Sequence, residues 1–435
     1  MYASVIGKKL VELINKEEKK ERTPKEFFNE VYFPLFYDHP KYFHWTINSP
    51  FVQGYKSSRP PSKEQRAQKL EELHNKVRTL KPDASFSIGF GAADDTATTS
   101  GQITSLTLPI ESHDIYYSWI GAGFGIGMAG GLVMLIDNPE ILKIIYEGWC
   151  KYRQLLNETG ILKGNQIETW NGQWLSYALN NNDYLTKLFN PVEVKKEGAA
   201  IPTQSWIKVL FAIAKKFPNG KLMAYVYNLG QTNTTIGFIQ INLPEIKREI
   251  EMYNLLFGDF DVNLKKAIED VYTTQYSFKY VCQNGAIGLK EIEPKGLKEY
   301  LPSKNKEAKE IKFKRDEKNL INYNIYLSWV IAMLNNKTII QKAEEAANML
   351  LSYASKSSRG KTTESNKVKI LLDSVSRRAF IENLVPLIEG SKNDFFNALV
   401  EEIDKMQADK FPYFLTLLKF KYVYLTNKNL KGEKK

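Results

Sequence analysis

The sequence predicts an α+β protein: a large mixed N-terminal domain with antiparallel strands and helices, followed by an all-α C-terminal bundle. Two observations predict this class. Residues 221–244, KLMAYVYNLGQTNTTIGFIQINLP, form two strand-like runs around a glycine-containing turn near Gly230, which is typical of a β-hairpin. Beyond residue 318, apolar residues recur at helical spacing without an intervening strand pattern.

The elements place the domain boundaries. The N-terminal domain is predicted over 1–289, a charged linker poor in large apolar residues over 290–317, and the helical bundle over 318–435. Residues 84–109 predict a strand, an exposed loop and a second strand. Helices are predicted at 2–20, from Thr23 as N-cap, at 62–80, 139–158 and 205–217, as two helices within 244–272, and at 320–334, 339–353, 368–388, 394–406 and 411–425.

Composition bounds the function. The 435 residues are 43% hydrophobic, which is enough for a sizeable core. Lys and Arg number 60 against 49 Asp and Glu, for a net charge of +11, so an acidic partner such as nucleic acid is expected, with a merely solubilising surface as the alternative. Two cysteines exclude a disulfide framework and a cysteine-rich zinc site. Because the N-terminus lacks an apolar signal core, a cytoplasmic location is expected.

The glycine-rich stretch 118–137, SWIGAGFGIGMAGGLVMLID, has three interpretations. Gly125, Gly127 and Gly130 spell the GxGxxG of a dinucleotide site, but only a short, strand-like run follows where that site needs a helix. GxxxG spacings and the lack of charge also suit a membrane span, although no Lys or Arg closely flanks the stretch. We therefore expect two adjacent core strands, and a membrane-associated protein stays the less favoured alternative.

Catalytic motifs are weak throughout the chain. The run RGKTT at 359–363 resembles a phosphate loop, but Ser355 stands where that loop requires glycine. His113 and Asp114 alone do not make a metal site. We therefore expect no enzymatic activity, no catalytic residue, no metal and no cofactor.

The alternative function is that of a metal-dependent nuclease of the restriction type, which would belong to a restriction-like defence system. Asp183 with Glu193 and Lys195 matches its Asp…Glu-x-Lys pattern, in which two carboxylates bind the ion and lysine polarises the attacking water. Glu245 with Lys247 and Glu310 with Lys312 also spell the tripeptide, which shows how readily it arises in a charged chain.

Three groups of polar residues are candidates for nucleic-acid binding, each with ordinary loop polarity as the alternative. The first lies in the turn-rich segment 38–61, whose amides and cations suit base edges or phosphates, and comprises Asn48, Gln53, Lys56 and Arg59. The second is the polar loop with Thr98, Thr99, Ser100 and Gln102. The third is a basic cluster expected to hold phosphates without reading sequence, and comprises Lys356, Arg359, Lys361, Lys367, Lys369, Arg377 and Arg378.

Two segments carry a family resemblance. TSGQITSL and the following DIYYSWIGAGFGIG are similar to segments of the large subunit of type I CRISPR effector complexes (Cascade) of the A and B subtypes. The order of parts also resembles that family: a mixed domain with aromatic and glycine-rich loops, a charged linker and a helical bundle. The chain departs from members with a zinc site, since it has two cysteines.

The resemblance implies a non-catalytic, RNA- and DNA-binding protein of antiviral defence. Its N-terminal domain would recognise the protospacer-adjacent motif and support R-loop formation, while guide pairing supplies the remaining specificity. Its bundle would resemble the small subunits. The implied partners are CRISPR RNA, target double-stranded DNA, other effector-complex subunits and a separate helicase-nuclease, without a membrane.

Overall fold

A computed structural model describes most of the chain, and its α+β class confirms the prediction. The described residues are 2–44, 51–52, 61–79, 111–196, 198–229, 234–258, 272–304, 308–310, 317–355, 361–388 and 394–432. They divide into two compact units. The N-terminal unit comprises Met1–Pro244 with Ser277–Gly288, and the C-terminal unit comprises Glu245–Tyr276 with Leu289–Lys435.

Helix starts in the N-terminal unit follow their capping residues. Thr23 is the N-cap of the helix that begins at Pro24, as the Thr-Pro pair predicted, and it forms a complete capping box with Glu26. Asn138 caps the helix that begins at Pro139. The helices of this unit are α1 (Tyr2–Glu18), α2 (Pro24–Phe27), α3 (Phe33–Phe36), α4 (Lys63–Thr79), α5 (Ser112–Ala122), α6 (Pro139–Glu158), α7 (Ile167–Asn180), α8 (Trp206–Lys216) and α10 (Phe278–Gln283), with a π-helical turn at Phe28–Tyr32.

One five-stranded sheet lies in this unit, in the order β1-β2-β5-β6-β7. Its strands are β1 (Ile126–Met128), β2 (Leu132–Ile136), β5 (Lys221–Asn228), β6 (Thr234–Asn242) and β7 (Ala286–Ile287). All neighbours are antiparallel except β6 and β7, which are parallel. The predicted hairpin is β5 and β6, paired from Lys221 opposite Asn242 to Asn228 opposite Thr234. A separate two-stranded sheet joins β3 (Glu193–Lys195) and β4 (Gly198–Ala200).

The glycine-rich stretch is a helix end followed by a hairpin. Residues 126–136 form β1 and β2, as predicted, but residues 118–122 end α5 and are not a strand. Gly121 lies where α5 crosses α1, because a Cβ there would stand 1.9 Å from the carbonyl oxygen of Ala3. Gly121 of α5 and Gly7 of α1 therefore permit close packing of these two helices, whereas Gly125 and Gly127 lie beyond the end of α5 and the GxxxG spacing has no role in this crossing. Among the described residues, no helix combines the length and apolar character that crossing a membrane requires.

The long regular elements of the C-terminal unit, over its described residues, are helices. Its helices are α9 (Leu243–Phe257, which starts at the end of the N-terminal unit), α11 (Glu317–Leu334), α12 (Lys337–Ser355), α13 (Lys361–Leu372), α14 (Arg377–Ile388), α15 (Asp394–Lys405) and α16 (Phe411–Gly432). The single helix predicted over 368–388 is two helices, separated at Asp373–Ser376. Ser374 is buried at this break, and the Asn383 amide donates to its hydroxyl oxygen at 3.0 Å.

The boundary between the units differs from the predicted linker over 290–317. Residues 289–300 fold into turns and a short 3₁₀ helix, and Ile292 and Leu297 are fully buried. Side chains of the C-terminal unit bind this segment: the Trp329 indole donates to the carbonyl of Leu289 at 3.0 Å, and the Tyr272 hydroxyl donates to the carbonyl of Ile292 at 2.9 Å. The sequence predicted a linker here because charged residues greatly outnumber the few apolar residues that are buried. The strands predicted within 84–109, the turn at Gly230 and the second helix within 244–272 lie outside the described residues.

Candidate nucleic-acid interface

Most of the predicted binding residues lie outside the described part of the chain. They are Asn48, Gln53, Lys56, Arg59, Thr98, Thr99, Ser100, Gln102, Lys356 and Arg359. For Lys361 the structure gives only its place as the first residue of α13. Lys367, Lys369, Arg377 and Arg378 are described with their side chains.

Two residues of the turn-rich segment 38–61, His44 and Phe51, are buried in the N-terminal unit. The Nε2 of His44 is 2.8 Å from a carboxylate oxygen of Glu168, with both side chains buried. Phe51 contacts the rings of Tyr37 and Trp119, with centroids 4.7 and 5.4 Å apart. Asn48 and Gln53 themselves lie outside the described residues, so the structure describes His44 and Phe51 but not the predicted binding side chains.

The four described cations have different surroundings. Lys367 is 3.3 Å from Glu364 on its own helix. The Arg377 guanidinium donates to the carbonyls of Asp404 and Met406 at 2.7 and 3.1 Å, where α15 ends. Arg378 is exposed and pairs with Glu382 at 2.8 Å. Arg377 therefore has a structural role at a helix C-terminus, because it satisfies carbonyls that the helix leaves open.

Lys369 lines a groove of the C-terminal unit, which we call the lysine groove. Its volume is about 920 Å³, and α13, α16 and residues 302–304 and 308–310 form its walls. Four lysines and two acids line it: Lys304, Lys309, Lys369, Lys419, Glu310 and Asp373. Ser303 and Ser365 add hydroxyls, and Tyr422 adds a ring. Lysines and hydroxyls on one concave wall offer the donors that phosphate oxygens accept.

Lys419 is the buried cation of the lysine groove. Its side chain is 11% exposed, and Asp373 lies 3.5 Å from its ammonium. Burial lowers the pKa of Lys419, while Asp373 acts in the opposite direction. A further anion in the lysine groove would stabilise the charged form of this ammonium, because Asp373 only partly offsets the hydration lost on burial.

Lysines near the groove mouth remain hydrated. Lys304 and Lys369 are exposed. Lys309 pairs with Glu299 at 2.9 Å, and its ammonium lies 5.6 Å from the Tyr300 ring centroid. Most of the net charge of +11 falls after residue 289. Exposed lysines attract polyanions over a distance set by ionic strength, so the groove suits a salt-sensitive ligand.

The predicted nuclease residues form no enclosed site. Glu193 and Lys195 lie on exposed β3 and pair with each other at 3.6 Å. Asp183 is exposed and lies 3.5 Å from Lys187. Within the described ranges, no three His, Cys, Asp or Glu side chains converge as metal ligands.

The other nuclease candidates also have local partners or fall outside the described residues. Glu245 accepts the backbone N–H of Leu289 at 3.0 Å, and Lys247 pairs with Glu251. Lys312 is not among the described residues. His113 lies in the first turn of α5 beside Glu111, with 3.2 Å between the ring nitrogen and the carboxylate.

Sequence reasoning did not identify Lys304, Lys309 and Lys419 as site residues. The first two lie in the segment predicted as a linker, where their charge resembled that of a solvated chain. Lys419 had a usable signal: it is a lone cation within the apolar run FLTLLKF. A cation inside such a run is costly to bury unless something compensates it. No protein-family model, curated protein or solved structure matches this chain.

Proposed function

We propose that this chain is a non-catalytic nucleic-acid-binding subunit of an RNA-guided antiviral complex, equivalent to the large subunit of type I CRISPR effectors and acting in the cytoplasm. The observation that carries the nucleic-acid part is the lysine groove, where four lysines outnumber two acids. The family assignment is supported by the segments TSGQITSL and DIYYSWIGAGFGIG and by the mixed-then-helical order of parts.

The lysine groove would bind the sugar-phosphate backbone. Lys304 and Lys369 supply hydrated ammonium groups, and Lys419 supplies a desolvated one. Phosphate contacts position a nucleic acid but carry no base information, so this groove would act alike on all sequences. Recognition of the protospacer-adjacent motif is assigned in this proposal to the segments with Asn48 and Thr98, and most of the specificity to guide pairing.

Duplex binding by Lys304→Ala/Lys369→Ala tests the groove. We expect weaker binding to every duplex sequence and a slope of log affinity against log salt that is shallower by about 2, since each phosphate contact contributes about 0.9. Fluorescence anisotropy across a salt series measures both. Lys405→Ala is the matched control, because Lys405 is an exposed lysine of the same unit outside the groove lining.

Two results would oppose this proposal. An unchanged slope for the double variant, or an equal change for Lys405→Ala, would remove the lysine groove from the binding site. Magnesium-dependent DNA cleavage by the purified chain, lost in Glu193→Ala, would replace the non-catalytic subunit with the nuclease alternative.

Complex formation tests the family assignment separately. We expect the chain to co-purify with CRISPR RNA and other effector subunits when their neighbouring genes are co-expressed. Recruitment of the separate helicase-nuclease should then require target DNA. A chain that binds duplex DNA but elutes alone from such a co-expression would retain the nucleic-acid role and lose the subunit assignment.

A further inference from the structure

The sheet of the N-terminal unit carries three mutually packed aromatic rings on one face. Tyr225 on β5 lies directly opposite Phe238 on β6, and Tyr2 of α1 packs on both. The centroids are 5.3 Å apart for Tyr225 and Phe238, 5.5 Å for Tyr2 and Tyr225, and 5.1 Å for Tyr2 and Phe238. Phe238 is nevertheless 54% exposed. We call these three residues the aromatic face.

The neighbouring positions on this face are polar or flexible. Directly opposed residues of paired strands point to the same side of a sheet. The pairs next to the aromatic one are Met223 opposite Gln240 and Lys221 opposite Asn242, so the face continues as a thioether, two amides and a lysine. Met223 is 46% exposed, and Lys221 is exposed. None of these four flanking residues is acidic.

We infer that the aromatic face is a base-stacking platform for single-stranded nucleic acid. Exposed rings on an antiparallel sheet stack bases of any sequence, while amides and cations beside them contact base edges and the backbone. Tyr225 and Tyr2 hold the Phe238 ring in place before binding, which lowers the entropy lost on stacking.

Rings and methionine occur in protein interfaces as well, so it is the lysine on this face that favours nucleic acid over a protein partner. Lysine is depleted in protein interfaces, whereas Lys221 is part of this face. The nearby acid Asp137 forms an ion pair with Lys9, which reduces its repulsion of phosphate. Asp137 also fixes Tyr2: its backbone N–H reaches the phenol oxygen, and burial together with its charge raises the pKa of Tyr2 to about 12.

This inference rests on the proposed function for the class of polymer, but it names a second site with different physics. The lysine groove binds through charge, and its contribution falls with salt. The aromatic face binds through stacking, which salt affects little. A single strand that is displaced or not yet paired exposes the bases that such a platform needs.

Binding of labelled single strands to the full-length protein tests the platform. Fluorescence anisotropy uses oligouridine and oligothymidine of about 12 nucleotides, within the site sizes of single-strand binders. We expect Phe238→Ala to weaken affinity about tenfold at every salt concentration without changing the salt slope. Phe238→Tyr should retain the wild-type affinity, because it keeps the ring.

Two controls isolate stacking. Leu188→Ala removes a side chain that is 90% exposed in the same unit, so it should leave affinity unchanged if the effect is specific to the aromatic face. A strand of abasic sugar-phosphate units should bind wild type and Phe238→Ala equally, since it offers no base to stack. A thermal melt checks the fold of each variant.

The outcomes separate this inference from the proposed function. Loss of affinity on RNA, on DNA or on both supports the platform and identifies the polymer. Equal affinity of Phe238→Ala and wild type for both strands, or an equal loss on the abasic strand, overturns it. A defect in assembly with effector subunits while single-strand binding is intact also overturns it, because the face would then bind protein. None of these results alters the duplex salt slope that tests the lysine groove.

Discussion

The two units place their charged groups differently. The N-terminal unit directs cations into its own fold: the Lys41 ammonium donates to the carbonyls of Leu156, Thr159 and Gly160 at the end of α6. The C-terminal unit instead places exposed lysines, Lys304 and Lys369, along the lysine groove. A count of cations therefore does not locate a binding surface, because some cations already donate to carbonyls of the fold and are not available to a ligand.

The contrast has an exception within the C-terminal unit. Arg377 satisfies carbonyls at the end of α15, as Lys41 does at the end of α6. Both place positive charge at the negative end of a helix dipole and occupy carbonyls that the helix leaves free. Lys304 and Lys369 are exposed, which is why their substitution should change ligand binding more than stability.

The largest predicted effect on the free energy of unfolding concerns Glu249, a buried acid of the C-terminal unit. Its side chain is fully buried beside the Ser328 hydroxyl, which donates at 2.7 Å, and burial raises its pKa to about 8. The folded unit therefore holds a proton that the unfolded chain releases above its ordinary value of 4.5. The free energy of unfolding should fall as pH rises from about 4.5 to about 8, by on the order of 4 kcal/mol.

Glu249→Gln should remove this pH dependence, because the glutamine amide does not ionise between pH 4.5 and pH 8. Urea unfolding of wild type and variant at several pH values measures it, with the variant the more stable at alkaline pH. Glu251→Gln is the control, because Glu251 is an exposed neighbour on the same helix. Parallel pH profiles for wild type and Glu249→Gln would contradict a buried protonated carboxyl.

The second prediction concerns the close helix crossing of the N-terminal unit. A Cβ on Gly121 would lie 1.9 Å from the carbonyl oxygen of Ala3, and one on Gly7 would lie 2.0 Å from that of Tyr117. Gly121→Ala must push α1 and α5 apart, and we expect it to destabilise the unit by on the order of 3 kcal/mol. Gly160→Ala should change the thermal midpoint little, because a Cβ there meets no atom within 4 Å.

The third prediction tests the interior cations. The Arg153 guanidinium donates to the carbonyls of Leu35 and Lys41, lies 4.3 Å from the centroid of the Phe43 ring, and has a pKa lowered by burial to about 10. Arg153→Met keeps an apolar stem but leaves two carbonyls without this donor, so a loss of about 2 kcal/mol is expected in urea unfolding. Lys187→Met, at an exposed pair, should cause a much smaller loss.

Much of the fold was predictable because it follows local patterns. The alternation in β5 and β6, the Thr23 cap and the helical spacing after residue 318 each depend on neighbouring residues. Two features depend on distant ones. The end of α5 at 118–122 looks strand-like in sequence, yet it is a helix whose Gly121 packs against α1. The segment 289–300 has the composition of a linker, yet it folds against distant residues such as Trp329, whose indole donates to the carbonyl of Leu289.

The candidate site was less predictable for the same reason. Lys369 was identified from a local basic cluster and does line the lysine groove. Lys419 comes from a helix fifty residues later, and only the tertiary fold brings it beside Lys369. The aromatic face also depends on residues far apart in sequence, since Tyr2 of α1 packs against residues of β5 and β6. Sequence spacing identifies cations and rings, whereas convergence requires the fold.

The smallest predicted effects separate two adjacent arginines. Arg377→Ala removes the donors at the end of α15 and should lower stability by about 1–2 kcal/mol. Arg378 is 89% exposed and pairs only within its helix, so Arg378→Ala should leave the thermal midpoint nearly unchanged. Duplex binding across a salt series, at a temperature where both variants are folded, tests whether either arginine also contacts phosphate. A shallower salt slope for Arg378→Ala alone would extend the binding surface onto α14. A changed salt slope for Arg377→Ala would show that its guanidinium leaves the helix end to reach phosphate.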